Sequence, residues 1–329
     1  MAIYTELKKD NIIKLARNYN IGDVVDFFPL QGGSSNSNYQ VLTSEGKFVF
    51  TVCDEKSVLS IDRQTNVLIS LAKVNFPSNR IVRTKEGDRF MDYEGNPFMV
   101  KEFIEGEVLE SLNNEQLYSL GNLLAKLNNI EVVPQVQTTY LYGLESFVQV
   151  HNYKDEFVDW LKSQQNRIQR GIPSDARKSF IHGDIFCSNL VVDRSKIKAI
   201  LDFEDCCNYF QGFEIGMAII GTCTENNKID SKKSKILVSG YHNSTCLSDK
   251  ELTLIPLFAE YAATATAFWR FLHNNVLKIG QNPNCYKEMV EIAESAKFQG
   301  IDLVLFDIEA MTNTLAESPD IIQDIESKI

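Results

Sequence analysis

Residues 178–207 read KSFIHGDIFCSNLVVDRSKIKAILDFEDCC. Two short apolar runs, NLVV and IKAIL, flank a polar turn at Asp193 to Lys196, which predicts a β-hairpin. Asp184 precedes the first strand, Asn189 opens it and Asp202 closes the second, so folding the hairpin gathers all three side chains at one end. A hard cation such as magnesium takes oxygen ligands, usually one or two carboxylates completed by substrate phosphates. Asn189 and Asp202 supply such a set, and Asp184 is left to orient or deprotonate a hydroxyl.

On the N-terminal side of this hairpin the first hundred residues alternate strand and turn signals. A helical opening at Thr5 to Asn18 is followed by the Gly-rich run QGGSSNSNYQVLT (31–43), the Ser-Glu-Gly turn and KFVFTV (47–52). A helical stretch at Asp62 to Lys73 and the apolar strand PFMVKEFI (97–104) complete a β-rich part. After Gly106 the texture becomes helical. Leu117, Leu120, Leu123, Leu124 and Leu127 recur at helical spacing, and Tyr153 to Arg170 and Leu252 to Asn275 repeat the pattern.

The order His-x-Asp, Asn five residues after the Asp, and Asp-Phe beyond a hairpin resembles the catalytic and metal-binding loops of protein kinases. More narrowly, HGDIFCSN followed by LDFED resembles the aminoglycoside phosphotransferase and choline kinase superfamily, in which Gly or Ala follows the His. The resemblance implies an α+β, protein-kinase-like two-lobe fold. Residues 1–104 would form a small antiparallel β-sheet lobe that binds nucleotide, and residues 105–329 a mainly helical lobe with the catalytic hairpin and the acceptor site. It further implies ATP and magnesium as cofactors, Asp184 as catalytic base or hydroxyl positioner, and Asn189 and Asp202 as metal ligands. His182 takes a packing role that holds the loop. FEIGMAI (213–219) resembles the helix that braces this loop, with Glu214 where the family usually has Asp.

The remaining nucleotide site is read outward from there. In the 31–43 run, Gly33, Ser34, Ser35, Asn36, Ser37 and Asn38 have backbone N–H groups and short polar side chains suited to covering phosphates; a plain turn explains the same composition. FMVKEFIEGE (98–107) resembles the hinge, where Glu102 to Ile104 would meet adenine. The strand position that should hold a phosphate-binding Lys is Thr51, and its expected Glu partner is Gln64, so both members are neutral; losing only one would strand a buried charge. Lys101 is a candidate replacement, with Lys56 and Lys47 as competitors. A nucleotide-binding pseudoenzyme is the rival reading, supported by Thr51 and Gln64 and opposed by the intact Asp184, Asn189 and Asp202 set.

MAIYT, GGSSNSNY, TSEGKFVFTVCDE and FAEYAATATAFWRF (258–271) resemble the type II homoserine kinase branch, although DFEDCC departs from the DFYFAC-like sequence common there. Homoserine is therefore the leading acceptor, ahead of choline, ethanolamine, hydroxylysine, an aminoglycoside or a sugar. A cationic or zwitterionic alcohol calls for acidic residues in the helical part, Glu260 being one. A net charge of −11 argues against nucleic-acid and anionic-membrane partners. No run of about 18 apolar residues is present, and the opening has no signal-type apolar stretch. Seven cysteines without a CxxC pair read as reduced thiols, and the expected location is the cytoplasm.

Overall fold

The computed structural model describes residues 5–30, 36–131, 136–278 and 282–298. Packing divides the chain into two units. The first takes the residues up to Gly106, Val136 and the short segment Ala199–Glu204; the second takes the rest. Ala199–Glu204 thus groups with the β-rich unit, although in sequence it lies deep in the helical part.

In the first unit a helix α1 (Lys9–Ala16) precedes β1 (Val24–Pro29), β2 (Ser37–Thr43) and β3 (Gly46–Val52). A second helix, α2 (Val58–Lys73), starts on Ser57, whose side chain accepts the Ser60 amide, a hydroxyl cap that begins the helix four residues before the apolar periodicity suggests. Then follow β4 (Ile81–Val82), β5 (Met91–Tyr93) and β6 (Asn96–Glu102). The strands form one antiparallel sheet in the order β1-β2-β3-β6-β4, with β5 on the other half of β6.

Strand alternation separates the two faces of this sheet. Tyr39, Val41, Phe50, Val52, Phe98 and Val100 pack on Ile12, Leu15 and Ala16 of α1. The opposite face presents Asn38, Thr51, Met99 and Lys101: Asn38 pairs with Thr51, Thr51 with Met99, and Val49 with Lys101, so these side chains project the same way. Cys53, Ile61 and Met99 form a small core there.

The second unit is built on α3 (Asn114–Asn128), α4 (Glu156–Gly171), β7 (Lys178–Ile181), β8 (Leu190–Asp193), β9 (Lys196–Ile200), β10 (Cys207–Phe210), α5 (Gln211–Thr222), α6 (Ser231–Ser244), α7 (Asp249–Phe271) and α8 (Tyr286–Phe298). β8 and β9 make the hairpin expected from their apolar runs, and β7 pairs antiparallel with β10. Helix α7 opens with a capping box between Ser248 and Glu251 and runs into a π-helical turn at Leu272–Val276. Buried Tyr241 ties two elements together: it donates to Asn128 Oδ1, while Asn128 Nδ2 donates to the Phe180 carbonyl on β7. The cysteines form no disulfide, and among the described residues no helix is long and apolar enough to cross a membrane.

Candidate active site

The loop between β7 and β8 is fixed by helix α5. Glu214, fully buried on α5, accepts the His182 amide on Oε1 at 2.8 Å and the Gly183 amide on Oε2 at 3.0 Å. Two turns along the same helix face, Gly221 lets α5 approach the loop backbone: a methyl group on it would overlap the Ile185 carbonyl. His182 is buried and its Nδ1 accepts the Asp184 amide at 3.1 Å, so its accepting nitrogen is spent on the loop itself and is not available as a base. Gly183 has φ +85°, and a Cβ there would stand 3.0 Å from the Tyr140 ring and 3.1 Å from the Asp205 carbonyl; conformation and space both require glycine.

Within this frame Asn189 reaches back to Asp184. Its Nδ2 donates to the Asp184 backbone oxygen and to Asp184 Oδ2, both at 2.9 Å. The five-residue spacing therefore brings Asp184 and Asn189 into direct contact. With both amide hydrogens committed, the oxygen that Asn189 can offer a cation is Oδ1.

Burial pushes the Glu214 carboxyl up from 4.5 to about 7; the two amides oppose this and the Asp184 charge adds to it. A raised carboxyl prefers its neutral form in the fold. Its contribution to stability is therefore full below pH 4.5 and lost as pH rises through about 7. Urea unfolding should show wild type losing of order 3 kcal/mol relative to Glu214→Gln between those limits. Parallel pH profiles would remove this assignment. Gly221→Ala provides a second check. Helix propensity alone favours Ala by about 1 kcal/mol, yet overlap with the Ile185 carbonyl should make the variant less stable by about 2 kcal/mol or more, with reduced activity.

Beside Asp184 stands an aromatic wall. Tyr140 is buried, and burial with the charges of Asp205 and Asp184 keeps its phenol protonated well above the usual range. Its ring lies 4.8 Å from Phe213 and 6.0 Å from Tyr142. Tyr142 in turn meets Trp269 at 6.3 Å, and Trp269 stacks against His273 at 4.6 Å across the start of the π-helical turn. Tyr142, Trp269 and His273 are half-buried. Glu260, the acid considered for a cationic acceptor, is otherwise engaged: it is buried and pairs with Arg167 at 2.8 Å and Lys297 at 3.8 Å. Asp205, like Asp184, places its charge near Tyr140.

In the β-rich unit, Asp202 is exposed and adopts φ +59°, a left-handed conformation that Asp tolerates better than most residues. Its neighbours fix it: Phe203 is buried edge-on against Phe76 at 6.2 Å, and the Ile200 amide donates to the Pro77 carbonyl. Glu204 accepts Asn36 Nδ2 on Oε1 and pairs with Lys56 through Oε2, each at 2.6 Å. Thr51 donates to Asn38 Oδ1 at 2.7 Å, and Gln64 is buried with Oε1 lacking a hydrogen-bond partner. Among the expected nucleotide residues, Gly33, Ser34 and Ser35 lie outside the described residues. Ser37 is buried, accepts the Thr5 amide and donates to Asp54, so its hydroxyl serves the fold. The amides of Glu102 and Phe103 donate to Arg80 and Lys47 carbonyls, leaving Ile104 as the hinge amide without a partner among the described residues. Lys101 is half-buried on the face opposite α1; Lys47 is spent on Glu105 at 2.6 Å near the β2–β3 turn.

Among the described residues no three His, Cys, Asp or Glu side chains cluster as a metal cage. Magnesium does not need one, because it completes its shell with phosphate oxygens and water; the exposed Asp202 carboxylate and the Asn189 side-chain oxygen each have the chemistry of a magnesium ligand.

Residues 26–241 match the phosphotransferase enzyme family. The chain belongs to that family. Curated relatives include a homoserine kinase of Nitrobacter hamburgensis, 23% identical over 273 residues, covering 80% of this chain and 84% of that one. Another, from Rhodopseudomonas palustris, is 25% identical over 275 residues with the same coverage. Among solved structures, a microcompartment-associated aminopropanol kinase has a TM-score of 0.67 at 16% identity, covering 88% of this chain and 95% of the other. A spectinomycin phosphotransferase, in complex with ADP and spectinomycin, has 0.65 at 14%, covering 90% and 99%. The protein is thus a phosphotransferase with the fold that the hairpin implied.

Two features of this phosphotransferase are absent from the sequence alone. The Lys56–Glu204 pair joins residues far apart in the chain. The aromatic wall draws on the loop around Tyr142 and the end of α7. The acidic run itself is legible: Glu204 and Asp205 read either as bordering the phosphates or as solvating a loop, the loop being favoured.

Proposed function

We propose that this phosphotransferase moves the γ-phosphoryl group of ATP to the hydroxyl of an amine-bearing small molecule, homoserine being the leading acceptor. The observation behind the reading is the contact of Asn189 with Asp184 in a loop clamped by α5 and bordered by a half-buried aromatic wall. Asp184, oriented through Oδ2, would align the acceptor hydroxyl and take up its proton as the bond to phosphorus forms. Positioning of this kind supplies much of the rate in phosphoryl transfer. An ammonium group on the acceptor would find the faces of Tyr142 and Trp269 and the carboxylate of Asp205. Asn189 and Asp202 would hold magnesium, which when bound neutralises charge on the phosphates. Asn36, Asn38, Lys101, Glu102 and Ile104 would meet the nucleotide. The homoserine kinase relatives and the aminopropanol kinase, an enzyme named for an amino alcohol, support the choice of acceptor class.

The test is ADP release with ATP and magnesium across homoserine, ethanolamine, choline, hydroxylysine, an aminoglycoside and a neutral sugar. Amine-bearing alcohols should exceed the neutral sugar by about 10²-fold in kcat/KM. Release with none of them would overturn the kinase reading, and preference for the sugar would overturn the acceptor class.

A further inference from the structure

Thr51 cannot neutralise phosphate charge, and its hydroxyl is already donated to Asn38. A kinase that binds ATP still needs cations beside the phosphates, and the strand position expected to supply one, Thr51, lies near the end of β3. Lys47 is at the wrong end of that strand and is paired with Glu105. Lys101 lies opposite Val49, next to the expected hinge segment, and its charge acts on Cys53 more than that of Lys56 does, which makes it the competing cation. Lys56 comes just after β3, at the end where Asn36 and Asn38 begin β2.

We propose that Lys56 supplies the cation for the α- and β-phosphates of the nucleotide, and that Glu204 positions it. The inference rests on the ATP reading above. Lys56 Nζ lies 2.6 Å from Glu204 Oε2, with side chains only 24% and 13% exposed, so the pair is more shielded than an ordinary surface ion pair. Glu204 Oε1 is held by Asn36 Nδ2, so the start of β2, the exit of β3 and the Ala199–Glu204 segment converge on one carboxylate. Glu204 is two residues from Asp202, and one short turn therefore presents both the proposed metal carboxylate and the anchor of the lysine. Burial pushes the Cys53 thiol up to about 12, with Lys101 and Lys56 opposing this and Glu204 and Asp54 adding to it, so the thiol stays neutral. Lysine suits the task because its ammonium, on a flexible stem, can move from a single carboxylate to a more highly charged diphosphate. The neutral pair Thr51 and Gln64 then marks a relocation: the cation has moved from the strand to its exit, and the acid from α2 to the segment after β9.

Equilibrium binding of magnesium-ADP and of adenosine separates the possibilities. Lys56→Met should weaken ADP about tenfold or more and leave adenosine unchanged, and Lys56→Arg should restore most of the ADP affinity. Glu204→Gln should also weaken ADP selectively, by a smaller factor. ADP affinity unchanged in Lys56→Met, equal loss of ADP and adenosine, or the selective ADP loss appearing in Lys101→Met instead would overturn the assignment. Absence of ADP binding by the wild-type chain is a different result, and would remove the ATP reading on which the assignment rests.

Discussion

Replacing Asp184 by Asn should lower turnover by about 10³-fold or more while ADP affinity changes less than about threefold. The substitution keeps size and the ability to accept from Asn189 through its remaining oxygen, but it removes the charge proposed to align a hydroxyl and receive its proton. His182 cannot take over, because it is buried and its Nδ1 is bonded to the Asp184 amide. Nor can Glu214, whose two oxygens hold the backbone of the same loop. The measurement is steady-state ADP release with the best acceptor, alongside direct ADP binding. Near-wild-type turnover in Asp184→Asn would show that this carboxylate is not the group that handles the hydroxyl.

Asn189→Ala should lower turnover by about 10²-fold and raise the magnesium concentration needed for half-maximal rate. Two functions end together in this variant. The Asp184 carboxylate and carbonyl lose their shared donor, and the oxygen proposed for the metal disappears. The magnesium dependence separates these losses, because misplacing Asp184 alone lowers the rate at every magnesium concentration. An unchanged magnesium requirement would restrict Asn189 to orienting Asp184.

What was legible in the sequence follows physical range. The hairpin of β8 and β9 could be read because apolar alternation and a polar turn are local, and the pairing of Asp184 with Asn189 because five residues span one loop. Glu214 was legible through family resemblance, and its longer side chain proved able to bridge two successive amides. Ser37 looked like a loop residue suited to phosphate; its engagement with Thr5 and Asp54 depends on a terminal segment folding across the strand. The placement of Ala199–Glu204 with the β-rich unit depends on Phe203 finding Phe76 and on Ile200 bonding Pro77, contacts that composition does not encode. Glu260 read as one possible acceptor acid or, as helical acids more often are, a residue for packing and solubility; its partners Arg167 on α4 and Lys297 on α8 were not legible in the sequence.

Helix α5 grips the loop at two points, a carboxylate at Glu214 and a bare backbone at Gly221, whereas Tyr142, Trp269 and His273 come from other parts of the chain. On the proposed reading, the carboxylate that handles the hydroxyl and the rings that meet the acceptor are thus held by different segments, with Tyr140 joining the two through Gly183, Phe213 and Tyr142. Substitutions at Trp269 and His273 would then change acceptor preference more than turnover, whereas those at Tyr140 would change both.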